Sequence, residues 1–234
     1  MILYAIPTPL GGAPQDALPS SVLETVRTLK DFAVENAKSA RAFLGAVGMP
    51  VRELHIEEIR DDFASLLKPL REGRALGLLS EAGCPAIADP GAALVEAAHR
   101  EGFRVVPLVG PSSITLALMA SGLEGQRFAF CGYLPREPNE RKKRIRELEA
   151  RSTKERETEI FIETPYRNEA LRQALLATLK PGTRLSISVG LTLPGGWTRT
   201  ATVADWKRGG AALPDRIPAV FALLACESSS KAGP

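Results

Sequence analysis

Residues 75–91 read Ala75-Leu76-Gly77-Leu78-Leu79-Ser80-Glu81-Ala82-Gly83-Cys84-Pro85-Ala86-Ile87-Ala88-Asp89-Pro90-Gly91. The opening run, Ala75–Ser80, is apolar without polar alternation, as in a strand buried on both faces. A turn of small residues follows. Asp89-Pro90 then offers an N-cap ahead of a first-turn proline for a helix over Ala92–Arg100. Gly102 stands where such a helix stops. Strand, turn and helix together make half of a βαβ unit, the building block of a parallel sheet.

The same unit recurs on either side. Ile2–Ile6, Asp31–Glu35 and Phe103–Val109 read as buried strands, and Ser21–Leu29, Ser39–Val47 and Asp62–Lys68 have helical spacing. Ser21 with Glu24 matches a capping box. Ser112 or Ser113 can cap a helix over Ile114–Ser121, and Gly122 can close it. Past Pro111 a second rhythm starts: strands Phe128–Cys131, Glu159–Glu163 and Leu185–Val189, with helices Arg141–Ala150 and Glu169–Leu179. After Gly190 the pattern is all strand, Thr198–Ala204 and then Ala219–Cys226, and strands joined without a helix imply an antiparallel or mixed sheet. The expected fold is α/β in two domains. Residues 1–110 form a mostly parallel sheet flanked by helices, residues 111–226 a mixed sheet with helices, and residues 227–234 a flexible tail.

Composition narrows the function classes. The 234 residues are 44% apolar with a net charge of +3, enough for buried cores and too weakly basic to imply nucleic acid by charge alone. No apolar run approaches a membrane span. Met1–Ile6 lacks a basic leader and a cleavage site and reads as a first strand. Cys84, Cys131 and Cys226 are odd in number and widely spaced, giving neither a disulfide framework nor a zinc site. No cluster has metal-ligand spacing, and His55 and His99 are isolated. A cytoplasmic protein without metal or membrane is expected.

Ligands of open α/β sheets bind beyond the carboxyl ends of the strands. Three loops fall there: Pro7-Thr8-Pro9-Leu10-Gly11-Gly12, the turn after Ser80, and Gly110-Pro111-Ser112-Ser113. The first has a plain alternative as a strand terminator, and the turn after Ser80 as a tight, well-capped strand-to-helix turn. The first lacks a dinucleotide or P-loop fingerprint. Phe161-Ile162-Glu163-Thr164-Pro165-Tyr166-Arg167 ends a strand of the second domain, where Glu163 and Arg167 either pair with each other or position a substrate. Arg136, Arg141, Lys142, Lys143, Arg144 and Arg146 form a basic cluster diluted by Glu137, Glu140, Glu147 and Glu149. A solvated, charge-laced helix is its commoner cause and a phosphate-contacting surface the rarer one.

Taken together, these motifs with Gly132-Tyr133-Leu134-Pro135-Arg136 resemble the tetrapyrrole-methylase superfamily of methyltransferases. The resemblance is greatest to its ribosomal RNA small-subunit cytidine-2′-O-methyltransferase branch and that branch's shorter relatives, and it runs from Leu3 to about Ala225. It implies a homodimer of two-domain subunits with S-adenosylmethionine bound folded in the cleft between the domains, leaving as S-adenosylhomocysteine. It also implies a donor site lined by Pro7, Glu81, Ala82, Gly83, Cys84, Ile87, Ser112, Ser113, Ile162, Glu163, Pro218 and Ala219. Three segments depart from the branch on the acceptor side. Val34-Glu35-Asn36-Ala37-Lys38 replaces Ala-Glu-Asp-Thr-Arg, Tyr166 stands in the histidine position of Glu-x-Pro-His-Arg, and Pro194-Gly195-Gly196-Trp197 replaces a glutamate-containing stretch.

A ribose hydroxyl is a weak nucleophile and gains from a general base. Glu163 is the first candidate and Glu35 the second, with Arg167, Lys38 and Arg41 available for phosphate or acceptor groups. Backbone carbonyls around Glu81–Gly83 are candidates for steadying the donor's cationic sulfur. The expected function is ribosomal RNA ribose 2′-O-methylation, on free RNA or a small subunit. A tetrapyrrole methyltransferase and a non-catalytic donor-binding dimer are the alternatives.

Overall fold

The computed structural model describes residues 1–60, 62–210 and 212–225; Cys226 and the expected tail lie outside the described residues. The described residues form two compact units, one from Met1 to Ser112 and the other from Ser113 onward.

The first unit carries strands β1 (Ile2–Ile6), β2 (Asp31–Val34), β3 (His55–Glu58), β4 (Leu76–Leu79) and β5 (Arg104–Pro107). They form one parallel sheet in the order β3-β2-β4-β1-β5. β2 and β4 are buried along their whole length; β4 is a continuous apolar run, while β2 opens with Asp31, whose buried carboxylate accepts from Arg74 Nε at 2.9 Å, ahead of apolar Phe32–Val34. The helices are α1 (Pro14–Ala17), α2 (Ser20–Arg27), α3 (Ala37–Ala46), α4 (Phe63–Leu66), α5 (Lys68–Arg71) and α6 (Ala92–Arg100). Leu23, Val26, Phe43 and Leu44 bury the inner faces of α2 and α3 in a core with Phe32 and Leu79. Leu66, Leu70, Leu94 and Ala98 do the same in a second core with Leu3 and Leu78.

Local details differ from the sequence reading. β3 was not expected; it is an edge strand whose residues alternate between exposed and partly buried. The helix expected over Asp62–Lys68 is two short ones. Asp62 caps the first by accepting from Ser65 N at 3.2 Å, and Pro69, which has no amide hydrogen, sits in the first turn of the second. The Ser21–Glu24 capping box does not form, because α2 begins at Ser20 behind Pro19 without a side-chain cap. Nor does Asp89 cap α6: Gly91 holds that position at φ +130°, after left-handed turns at Ala86 and Ala88.

The second unit runs α7 (Ser113–Ser121), β6 (Phe128–Tyr133), α8 (Pro138–Glu155), β7 (Thr158–Ile162), a 3-10 turn (Pro165–Arg167), α9 (Asn168–Thr178), β8 (Arg184–Val189), β9 (Trp197–Thr202), α10 (Val203–Gly209) and β10 (Ala219–Leu224). The sheet order is β6-β7-β10-β8-β9. β6 and β7 pair in parallel, and the other neighbours are antiparallel. Ile145, Leu148, Leu171 and Leu175 pack with Phe161, Phe221 and Trp206. The all-strand reading after Gly190 is corrected by α10. Thr202 caps it by accepting from Asp205 N at 3.1 Å, and buried Trp206 donates Nε1 to Leu185 O at 2.8 Å.

Candidate active site

In the first unit, the three loops meet at the carboxyl ends of β1, β4 and β5. Thr8 and Gly83 exchange backbone hydrogen bonds, Thr8 N to Gly83 O at 2.9 Å and Gly83 N to Thr8 O at 3.0 Å. The Gly83 carbonyl, one of those considered for the donor, is thus engaged within the loops. Cys84 Sγ donates to Pro111 O at 3.4 Å, and Gly110 packs against the Pro7 ring. Gly83 takes φ +81°, a left-handed conformation that glycine adopts without steric cost. Around this seam Pro7 and Gly83 are buried, Cys84 and Ser112 are partly buried, and Glu81, Ala82 and Ile87 are exposed. Burial raises the Cys84 thiol, which argues against a nucleophilic role.

Carboxylates gather at the same edge. Glu35, just past β2, accepts from Glu81 N at 2.9 Å, and Ser39 Oγ donates to Glu81 Oε1 at 3.1 Å. Glu35 therefore braces the loop after Ser80. Asp89 is half-buried and pushed up to about 6, first by burial, then by the charge of Glu35, with Glu81 adding to it and the Ser80 hydroxyl opposing. No lysine or arginine is ion-paired to Glu35, Glu81 or Asp89 among the described residues. Asn36, in one of the departing segments, caps α3 by accepting from Lys38 N and Ser39 N. Arg41 turns back on its own helix, donating to Ala37 O at 3.3 Å.

In the second unit, Val220 pairs with Ile162 and Ala219 with Val189, so the end of β7, the start of β10 and the end of β8 share one edge. Glu163 leaves β7 there, 5% exposed. All its hydrogen bonds fall on one oxygen. Oε1 accepts from Thr164 N at 2.7 Å, Thr164 Oγ1 at 3.2 Å and Arg167 Nε at 3.1 Å, and it forms an ion pair with Arg167 Nη2. Oε2 is buried without a partner. The short turn Pro165–Arg167 brings Arg167 back to the carboxylate four residues behind it. Tyr166 points outward, 68% exposed. Pro218 is exposed and Ala219 buried, while Ser113 opens α7.

Sequence reasoning missed several supporting residues. Buried Thr8 closes the seam between loops, and Ser39 steadies Glu81. Asn168, 1% exposed, donates to Ile217 O at 2.8 Å and so fixes the approach to Pro218-Ala219. Its position directly after Arg167 was the available signal. Among the described residues, no group of three or more His, Cys, Asp or Glu side chains is placed to hold a metal ion, and no helix is long and apolar enough to cross a membrane.

One parallel and one mixed five-stranded sheet, each with polar loops at its carboxyl edge, define an α/β protein of the methyltransferase-like two-unit class. The chain belongs to the family described as Tetrapyrrole (Corrin/Porphyrin) Methylases, whose sequence profile matches residues 16–205. It is 35% identical over 170 residues to "Ribosomal RNA small subunit methyltransferase I" of Halalkalibacterium halodurans, covering 70% of this chain and 56% of that protein. It is 31% identical over 180 residues to the Bacillus subtilis protein of the same name, covering 76% and 60%. The matched part therefore spans less than two thirds of these relatives. Two solved structures share the fold. The methyltransferase CobJ superposes with a TM-score of 0.62 at 18% identity, covering 99% of this chain and 96% of that one. Uroporphyrin-III-C-methyltransferase from Thermus thermophilus gives 0.56 at 21%, covering 95% and 94%.

Proposed function

We propose that this chain is an S-adenosylmethionine-dependent methyltransferase acting on a ribose 2′-hydroxyl of ribosomal RNA, and that it works as a cytoplasmic homodimer. The names of the relatives support the substrate class. The observation that carries the chemistry is the lopsided Glu163 carboxylate, with one oxygen saturated and the other buried without a partner.

The residues present fit the donor. It carries net positive charge at its sulfur and amino groups. The first unit's edge holds Glu35, Glu81 and Asp89 with no cation paired to them among the described residues. Surplus carboxylate beside an apolar seam suits such a ligand. Pro7, Gly83, Cys84 and Ile87 would supply the apolar wall. When bound, the donor supplies a methyl group on a cationic sulfur that departs neutral.

Glu163 Oε2 would accept the proton lost by the acceptor hydroxyl, a contribution of about 10²–10⁴-fold. Arg167 balances the buried charge and, with Thr164, fixes the plane of the carboxylate so that Oε2 stays available. Positioning of the acceptor would supply more, up to about 7–11 kcal/mol of the barrier.

The test uses methyl-labelled S-adenosylmethionine with ribosomal subunits, stripped ribosomal RNA and a tetrapyrrole, all from cells lacking the gene. Label in RNA, recovered as an alkali-resistant 2′-O-methylated dinucleotide, is the expected result. Label in the tetrapyrrole alone, or no heat on titrating the donor into the protein, would overturn the reading.

A further inference from the structure

The sequence shows α8 as a mixture of bases and acids, and in the structure three of the four acids in and just before its first half are engaged, although only Glu149 is buried. Glu137 caps the helix by accepting from Glu140 N at 2.7 Å. Glu147 is paired with Arg144 at 3.3 Å. Glu149 is buried, accepting from Lys180 N at 2.8 Å and from the Thr183 hydroxyl. Glu140 is left, facing solvent. Arg136, Lys142, Lys143 and Arg146 are all exposed, and none has an ion-pair partner among the described residues. Lys142 and Arg146 are four apart and Lys143 and Arg146 three apart, so these cations share one face of the helix. Next to them, Arg141 Nε is buried and lacks an acceptor. A buried guanidinium nitrogen without a partner is costly.

The surface begins at the edge that carries Glu163. β6 and β7 run parallel, with Tyr133 in register with Ile162. Glu163 follows one residue past Ile162, and Arg136 three past Tyr133. The first turns of α8 start from this same end of the sheet.

We infer that the exposed cationic face of the first half of α8 is the docking surface for the sugar-phosphate backbone of the RNA acceptor, with Arg136, Lys142, Lys143 and Arg146 as phosphate contacts. This rests on the proposed function and names the surface by which it engages its substrate. The contacts carry no base specificity. They hold the strand while the Glu163 edge meets one ribose.

The test measures fluorescence anisotropy of a labelled mixed-sequence single-stranded RNA of about 20 nucleotides, long enough to cover several phosphate contacts, over a series of salt concentrations. The variant is Lys142→Gln/Lys143→Gln/Arg146→Gln, and the control is Arg52→Gln/Lys180→Gln/Lys207→Gln, which removes the same charge from other exposed positions. The α8 variant is expected to bind about 30-fold more weakly at low salt, and its plot of log K against log salt to flatten by about 2, as loss of three phosphate contacts requires. Its thermal midpoint and its donor titration should match those of the unaltered protein. If the unaltered protein binds RNA and the two variants weaken it equally, the α8 surface is refuted while the proposed function stands. If the unaltered protein binds no RNA at any salt concentration, the α8 surface is refuted, and the proposed function is decided by the labelling experiment.

Discussion

Gly110 lies so close to Pro7 that a Cβ built on it would fall 2.2 Å from Pro7 Cγ and 3.0 Å from Leu18 Cδ2. A proline ring is stiff, so it cannot move aside as a long side chain would. Gly110→Ala must therefore pry the loop after β5 away from the loop after β1. Overpacking of this kind costs about 1–3 kcal/mol. Urea unfolding should show that loss, and calorimetry should show donor affinity falling with it. Unchanged affinity in a destabilised variant would separate this seam from donor binding.

Glu163 and Arg167 separate chemistry from architecture. Glu163→Gln keeps the shape and removes the proton acceptor, so single-turnover methyl transfer at saturating donor should fall by about 10²–10⁴-fold. Arg167→Met leaves a buried carboxylate uncompensated, which destabilises by about 3–5 kcal/mol. Denaturant unfolding distinguishes the two, because the glutamine variant loses activity well beyond its loss of stability.

The Asp89 carboxyl gives a pH signature. It releases its proton near pH 6 in the folded protein, against about 4 in the unfolded chain. The folded state thus binds more protons between those values, and its stability falls as pH rises through that window. With the group half-exposed, screening reduces the effect to about 1 kcal/mol. Asp89→Asn should abolish that slope and be the more stable form above pH 6. A cationic ligand favours the ionised carboxylate, so donor affinity should decline as pH drops below about 6, and the asparagine variant should lose this dependence. Calorimetry across pH checks both.

Ala88 holds φ +65° without being glycine. A left-handed conformation costs an L-residue about 1–2 kcal/mol, against about 0.5–1 kcal/mol of extra chain entropy for glycine. Ala88→Gly should therefore stabilise the protein by up to about 1 kcal/mol in urea unfolding. A destabilisation of that size would show that the methyl group is holding the turn.

The buried strands were the most legible elements. Leu76–Leu79 is covered on both faces, and a continuous apolar run records that directly; in Asp31–Val34 the run Phe32–Val34 does the same behind a buried Asp31. His55–Glu58 was not legible, because an edge strand with alternating exposure needs few apolar residues. α10 was obscured because only Val203 and Trp206 of its seven residues are buried. The loops that meet in the first unit could be read as a set, since each follows a recognisable strand. The division of labour between the two Glu163 oxygens could not, because it depends on where Thr164 and Arg167 return in space. The same limit hid the fate of the α8 acids. A string of letters shows Glu147 and Glu149 as equals, whereas one faces solvent and the other is sealed against Thr183.

β10 lies between β7 and β8 in the second sheet although it is the last of the five strands to be translated. Until residues 219–224 leave the ribosome, β7 and β8 each present an open edge with nothing to join them, and such edges invite association with other chains. The first unit, by contrast, has all its strands by Pro107. A nascent chain stalled shortly before Ala219 should therefore carry a folded first half and an aggregation-prone second half. The delay before β10 is made is thus a hazard written into the strand order.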